Sequence, residues 1–186
     1  MAIYTEYVNV PHASYEQFRS NIIGNGYEVD GLYGCQCVDI AKLINWNLGY
    51  SSPYWSTGGT GYAYGGWTVA SARAFNASQC SLVTSLANVK RGDLIVLDSS
   101  SLNVAGHVTF ADEDYDGTGY LWCVGQNQGG DPLPIGGTVV TRNHLGMSKF
   151  LGAFRYNLWS NPPEPLHLTS TKFPFVLMAR KIRGED

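Results

Sequence analysis

The hydrophobic pattern of this 186-residue chain changes period once, and that change fixes the class of fold open to it. Before residue 80 apolar side chains recur at helical spacing; from residue 90 they alternate or run together as in strands. Ser14-Tyr15-Glu16-Gln17 is a capping box that opens a helix carrying Phe18, Ile22 and Ile23 and closing at Gly24. A second helix is predicted over 37–48, with Val38, Ala41, Ile44 and Leu48 on one face and Gly49 as terminator. A third is predicted over 68–77, with Val69, Ala72 and Phe75 inward. Strands are predicted at 94–97, 106–111, 120–126, 137–142 and 152–156. Asp116-Gly117 marks the hairpin between the second and third of these. Helices followed by sequential strands make an α+β protein with an antiparallel sheet, not a doubly wound parallel one.

Composition narrows the function. A net charge of −3 with no Lys/Arg run excludes an electrostatic nucleic-acid binder. No apolar run reaches the 18 residues of a membrane span, and residues 1–8 lack the basic start and apolar stretch of a secretory leader. Residues 1–158 form one expected domain. Ser160-Asn161-Pro162-Pro163-Glu164-Pro165 then opens a Pro-rich linker and tail, 159–186, which either adds a strand or leads into a further domain.

Of four cysteines, Cys123 lies in the apolar run Leu121-Trp122-Cys123-Val124 and is expected as a buried free thiol. Cys35-x-Cys37 is the spacing of neither a zinc knuckle nor a redox pair. Cys37 is different, because it stands where a glycine-containing turn meets a helix start. Unpaired N–H groups and the positive end of the helix dipole favour the thiolate there. His107 follows in Gly106-His107-Val108 and Asn127 in Gly125-Gln126-Asn127. One residue starts a strand and the other ends the strand across a hairpin. Antiparallel neighbours lie within about 5.5 Å, so Asn127 is expected to meet His107 at one end of the sheet. Nucleophile, base and base-orienter are the parts of a cysteine hydrolase. His12, His144 and His167 have no such partner pattern.

Tyr33-Gly34-Cys35-Gln36-Cys37-Val38-Asp39, Gly92-Asp93-Leu94, Gly106-His107-Val108 and Gly125-Gln126-Asn127 together resemble a CHAP domain, a cysteine, histidine-dependent amidohydrolase/peptidase, as found in bacteriophage endolysins. The resemblance spans residues 10–157 and implies a papain-like fold, with N-terminal helices packed on a roughly six-stranded antiparallel sheet. It implies hydrolysis of bacterial peptidoglycan, by an endopeptidase or an N-acetylmuramoyl-L-alanine amidase. Carried over, Cys37 is the nucleophile, His107 the base and Asn127 the orienter; Cys37 N–H is an oxyanion donor and Gln36 a second candidate. Many phage members carry Glu two residues before the Asn, where this chain has Gly125. The resemblance extends to a calcium loop: Glu28, Asp30 and Asp39 with the Leu32 and Gly34 carbonyls match the ligand pattern of some phage lysins. Three carboxylates and two carbonyls make an oxygen cage suited to Ca²⁺; the alternative is that Asp39 instead caps the helix.

Trp55, Tyr62, Tyr64 and Trp67 lie in a Ser/Gly-rich stretch and read either as an irregular loop or as an aromatic rim for substrate. The missing leader fits an enzyme held in the host cytoplasm until a holin releases it to the wall, with wall binding supplied by a separate or C-terminal domain. The competing expectations are a non-catalytic wall-binding or virion structural module, and a thiol amidase acting on small soluble amides.

Overall fold

The computed structural model describes residues 3–4, 14–47, 55–78, 80–101 and 103–157. The expected helix end at Leu48-Gly49 and the linker and tail at 159–186 lie outside the described residues. The elements run β1 (Ile3–Tyr4), α1 (Tyr15–Ile22), β2 (Gly26–Tyr27), α2 (Cys37–Asn47), α3 (Gly65–Thr68), α4 (Ala70–Asn76) and β3 (Cys80–Val83), followed by β4 (Leu94–Leu97), β5 (His107–Ala111), β6 (Tyr120–Gly125), β7 (Thr141–Gly146) and β8 (Phe150–Tyr156). The last six strands form one sheet in the order β3-β8-β4-β5-β6-β7, antiparallel at every pairing. β1 and β2 make a separate two-stranded parallel pair. The protein is α+β with a six-stranded antiparallel sheet, as the change of period requires.

Ser14 caps α1, its Oγ accepting from the Gln17 N–H at 3.2 Å. Tyr15, Phe18 and Ile22 form the buried stripe of α1, and Phe18 meets Phe110 of β5 edge-on at 5.4 Å. α2 buries Cys37, Ile40, Ala41, Leu43 and Ile44 against Val108 and Phe110. Its inward face is therefore turned from the expected one, and Val38 is only partly buried. Leu94, Val96, Val108, Phe110, Val124 and Phe154 face these helices. Ile95, Leu97, Ala111, Leu121, Cys123 and Ala153 fill a second core on the other side of the sheet. Each fully buried side chain of this size stabilises the fold by about 1.5–3 kcal/mol. The central strands β4 and β5 thus hold the start of α2 rigidly against the start of β5.

Three local expectations differ. The predicted helix at 68–77 is two short helices, broken where Val69 takes an extended ψ of 116°, and Phe75 is exposed. The strand expected at 137–142 lies at 141–146, because 129–140 is taken up by a glycine-rich excursion that bridges to Cys35 through Gly137 and folds on itself at Pro132 and Thr138. β3 carries no clear alternation and was not expected.

Candidate active site

Cys37 is the first residue of α2. The loop before it is set by positive φ at Gly31 (74°), Tyr33 (67°) and Gly34 (71°). At Gly34 a Cβ would run into the Ile135 carbonyl, so only glycine fits. The helix start is closed by Asp39, whose Oδ2 accepts from the Gln36 N–H at 2.7 Å, the reaching-back arm of a capping box. Its Oδ1 accepts from the Val29 N–H at 3.1 Å. Burial pushes the Asp39 carboxyl up to about 7.

His107 is the first residue of β5, and its ring lies against the Cys37 side chain, close enough for each group to shift the other's proton affinity; the Val108 N–H acts on the same sulfur. Cys37 and His107 are each 8% exposed, so the pair sits at the surface of the core. Burial opposes charge on both groups. It is outweighed by their mutual attraction and hydrogen bond, with the Val108 N–H adding to the thiol and Gln128 to the imidazole. The thiol is held below its ordinary range and the imidazole above its own. Both directions favour charge separation between sulfur and ring over the neutral pair.

The expectation for Asn127 is corrected. The β5–β6 register, read onward from Phe110↔Val124, would set Asn127 opposite His107, but β6 ends at Gly125. Asn127 then takes a left-handed φ of 58°, and its Nδ2 donates to the Gln36 side-chain oxygen at 3.2 Å. The ring nitrogen Nε2 of His107 instead faces Gln128 Oε1 at 3.0 Å. Gln126 is fully buried: it accepts from the Tyr27 N–H at 2.8 Å and donates to the Tyr27 and Gln36 carbonyls at 2.7 and 3.0 Å. Three successive carboxamides therefore tie, in turn, the Cys37 loop backbone, the Gln36 side chain and the imidazole. Gln126 and Gln128 were missed; the signal available was the density of carboxamide donors and acceptors in the run Gln126-Asn127-Gln128.

Gln36 Nε2 donates to the Tyr33 carbonyl at 2.8 Å, so its carboxamide is held at both ends beside Cys37. The four aromatics divide. Trp55 is 2% exposed and Trp67 8%, both edge-on to Phe154 at 5.2 Å. They are core side chains, packed on Phe154 of β8 together with Leu94 and Val96 in one buried cluster. Tyr62 is exposed and Tyr64 half-buried, their rings 5.7 Å apart. The Tyr64 N–H donates to Ala105 O at 3.4 Å, which places this pair beside the strand start that carries His107.

Glu28, Asp30 and Asp39 each bring a carboxylate oxygen within 4.8 Å of the others. Lys42 pairs with Asp30, and the Leu32 N–H donates to Glu28 and Asp30 at 3.3 and 2.9 Å. The Glu28 carboxyl is raised, by burial first and by Asp30. Crowded, hard oxygen donors of this kind fit a calcium ion. Among the described residues all four cysteines are free, and Cys123 is fully buried.

No family model matches the chain. Over 119 residues, 63% of its length, it is 32% identical to a D-alanyl-L-alanine endopeptidase of Streptococcus phage B30. The chain spans a quarter (25%) of that relative. Among solved structures it is similar to the endolysin LysIME-EF1, with a TM-score of 0.55 at 22% identity, covering 80% of this chain and 62% of that one. That likeness is one of fold. No described helix is long and apolar enough to cross a membrane.

Proposed function

We propose that this chain is the catalytic module of a phage endolysin that cleaves an amide bond of bacterial peptidoglycan through Cys37 and His107. The contact between the Cys37 sulfur and the His107 ring at the α2 N-terminus carries the reading. The name of the Streptococcus phage relative supports an endopeptidase over an amidase, and the endolysin neighbour supports a wall substrate.

In the mechanism, the Cys37 thiolate attacks the substrate carbonyl carbon. Charge builds on the carbonyl oxygen, where the Cys37 backbone N–H and the second Gln36 Nε2–H are the available donors. The C–N bond breaks as His107 passes its proton to the leaving amine, and a thioester remains on Cys37. Water then attacks the thioester while His107 takes its proton. The C–S bond breaks, restoring the thiolate beside the imidazolium and releasing a carboxylic acid that gives its remaining proton to solvent. Tyr62 and Tyr64 are the aromatic side chains placed to flank a bound peptide. Glu28, Asp30 and Asp39 would hold Ca²⁺, which when bound supplies positive charge to the carboxylate cluster and rigidity to the loop before Cys37. Release to the wall through a holin, and targeting by a wall-binding domain, belong to the same proposal.

The test is digestion of purified peptidoglycan followed by mass spectrometry of the products. New D-alanyl and L-alanyl termini are expected from the wild type and none from Cys37→Ala with an unchanged melting temperature. Turnover by that variant would remove the cysteine mechanism, and products cut at the muramoyl amide would replace the endopeptidase by the amidase. Wall binding without new termini would leave the non-catalytic module.

A further inference from the structure

We propose that Gln128 is the residue that positions the His107 imidazole, seated in space that Gly125 leaves free, while Asn127 serves the Cys37 loop. This deepens the Cys37–His107 reading and rests on it. The argument begins with the direction of the Gln128 carboxamide. Its nitrogen donates to two backbone carbonyls, Cys123 at 3.1 Å and Thr141 at 3.0 Å. Carbonyls only accept, so that end must be the NH₂ and the oxygen must face the other way. Oε1 then takes the Thr109 hydroxyl proton at 2.8 Å and meets His107 Nε2 at 3.0 Å. An oxygen acceptor at Nε2 requires a proton on Nε2. Nδ1 is left as the nitrogen that takes the thiol proton, the tautomer a general base at Cys37 needs.

The seat is drawn from three strands. Thr109 comes from β5, the Cys123 carbonyl from β6 and the Thr141 carbonyl from β7, and the Asn143 side chain also donates to the Gln128 carbonyl. Gly125 is what makes room: a Cβ there would stand 2.6 Å from Thr109 Oγ1 and 2.7 Å from Gln128 Oε1. A longer side chain at 125 and the Gln128 carboxamide cannot occupy the same place. Asn127 has its own partner in Gln36 and a backbone that turns it off the sheet. Among the described residues the ionisable group acting on the imidazole is Cys37, while Asp39 acts on the Cys37 sulfur and not on the ring, so the acceptor found at Nε2 is the Gln128 carboxamide.

Two readouts test this. The first is kcat and KM on purified peptidoglycan for the full chain. Gln128→Ala is expected to lower kcat by about tenfold or more with KM little changed, since a misaimed base costs turnover rather than binding. Gly125→Ala should show the same split, because its methyl takes the carboxamide's place. The second is the imidazole nitrogen spectrum of ¹⁵N-histidine protein in a Cys37→Ala background at about pH 8, where a histidine is neutral. His107 should appear as the Nε2–H tautomer, become a mixture when Gln128→Ala is added, and stay as it was when Asn127→Ala is added. The proposal is overturned if Asn127→Ala changes the His107 signal and Gln128→Ala does not, or if Gln128→Ala leaves both kcat and tautomer as in the wild type. If Gln128→Ala does not fold, Thr109→Val decides on the same two readouts. Activity surviving in Cys37→Ala would sink the nucleophile reading alone, since the His107 signal does not depend on turnover.

Discussion

Replacing Trp55 by alanine should unfold this protein at a markedly lower temperature without changing how tightly substrate is held. The indole is 2% exposed, sits edge-on to Phe154 at 5.2 Å, and lies so close to the backbone that a Cβ on Gly66 would be 2.7 Å from its ring. Emptying such a site costs about 3–5 kcal/mol in lost transfer energy and cavity. One term runs the other way, because among the described residues Nε1 has no hydrogen-bond partner. A buried, unpaired donor destabilises by about 1–3 kcal/mol, and the substitution removes it. The net cost is then about 2 kcal/mol, or roughly 4–8 °C in melting temperature for a domain of this size. Trp55→Phe keeps a ring against Phe154 and deletes the orphaned N–H, so it should fall within about 1 kcal/mol of the wild type. Thermal melting of both variants, with KM on peptidoglycan, is the assay. An unchanged melting temperature with a raised KM in Trp55→Ala would place this ring in the substrate groove and refute the packing argument.

Two further outcomes follow from the charged groups. Asp112 is buried beneath Arg19 and Arg142, with Arg19 Nε at 2.5 Å; burial raises its carboxyl, but the two guanidinium hydrogen bonds outweigh that and hold it below the usual carboxylate range. Its stabilising contribution is therefore complete above about pH 4 and is lost as pH falls through the lowered value. Asp112→Ala should cost about 3 kcal/mol at neutral pH, with the difference from wild type shrinking in acid, as read by urea unfolding at several pH values. At the acidic loop, a chelator should lower the melting temperature of a calcium-loaded sample and Asp30→Ala should remove that response. Indifference of both would eliminate the metal.

The architecture was legible because it follows from period: a capped helix at Ser14, a helix at Cys37 and alternation after residue 90 leave little choice but an α+β sheet. The placement of Cys37 and His107 beside one another was legible for a similar reason, since each sits at the first residue of a regular element, where local sequence decides direction. Asn127 does not meet the His107 ring because it lies two residues beyond the end of β6. A single left-handed residue there swings the side chain to Gln36 and brings Gln128 back under the ring, and neither periodicity nor spacing encodes that. The Trp55 and Trp67 placements were hidden for a different reason. In a Ser/Gly-rich stretch without period, only the tertiary contact with Phe154 distinguishes core from rim.

The central claim is that the Cys37 sulfur is ionised because His107 lies against it, and the rate of its alkylation by a small thiol reagent against pH tests that most directly. Peptide mass spectrometry separates Cys37 from Cys35, Cys80 and Cys123, whose thiols burial pushes up to about 11, 12 and 12. The wild type should label at Cys37 below the roughly pH 8.5 midpoint of a free thiol, and His107→Ala should return that profile to the free-thiol range or above. Identical profiles in the two proteins would contradict the account.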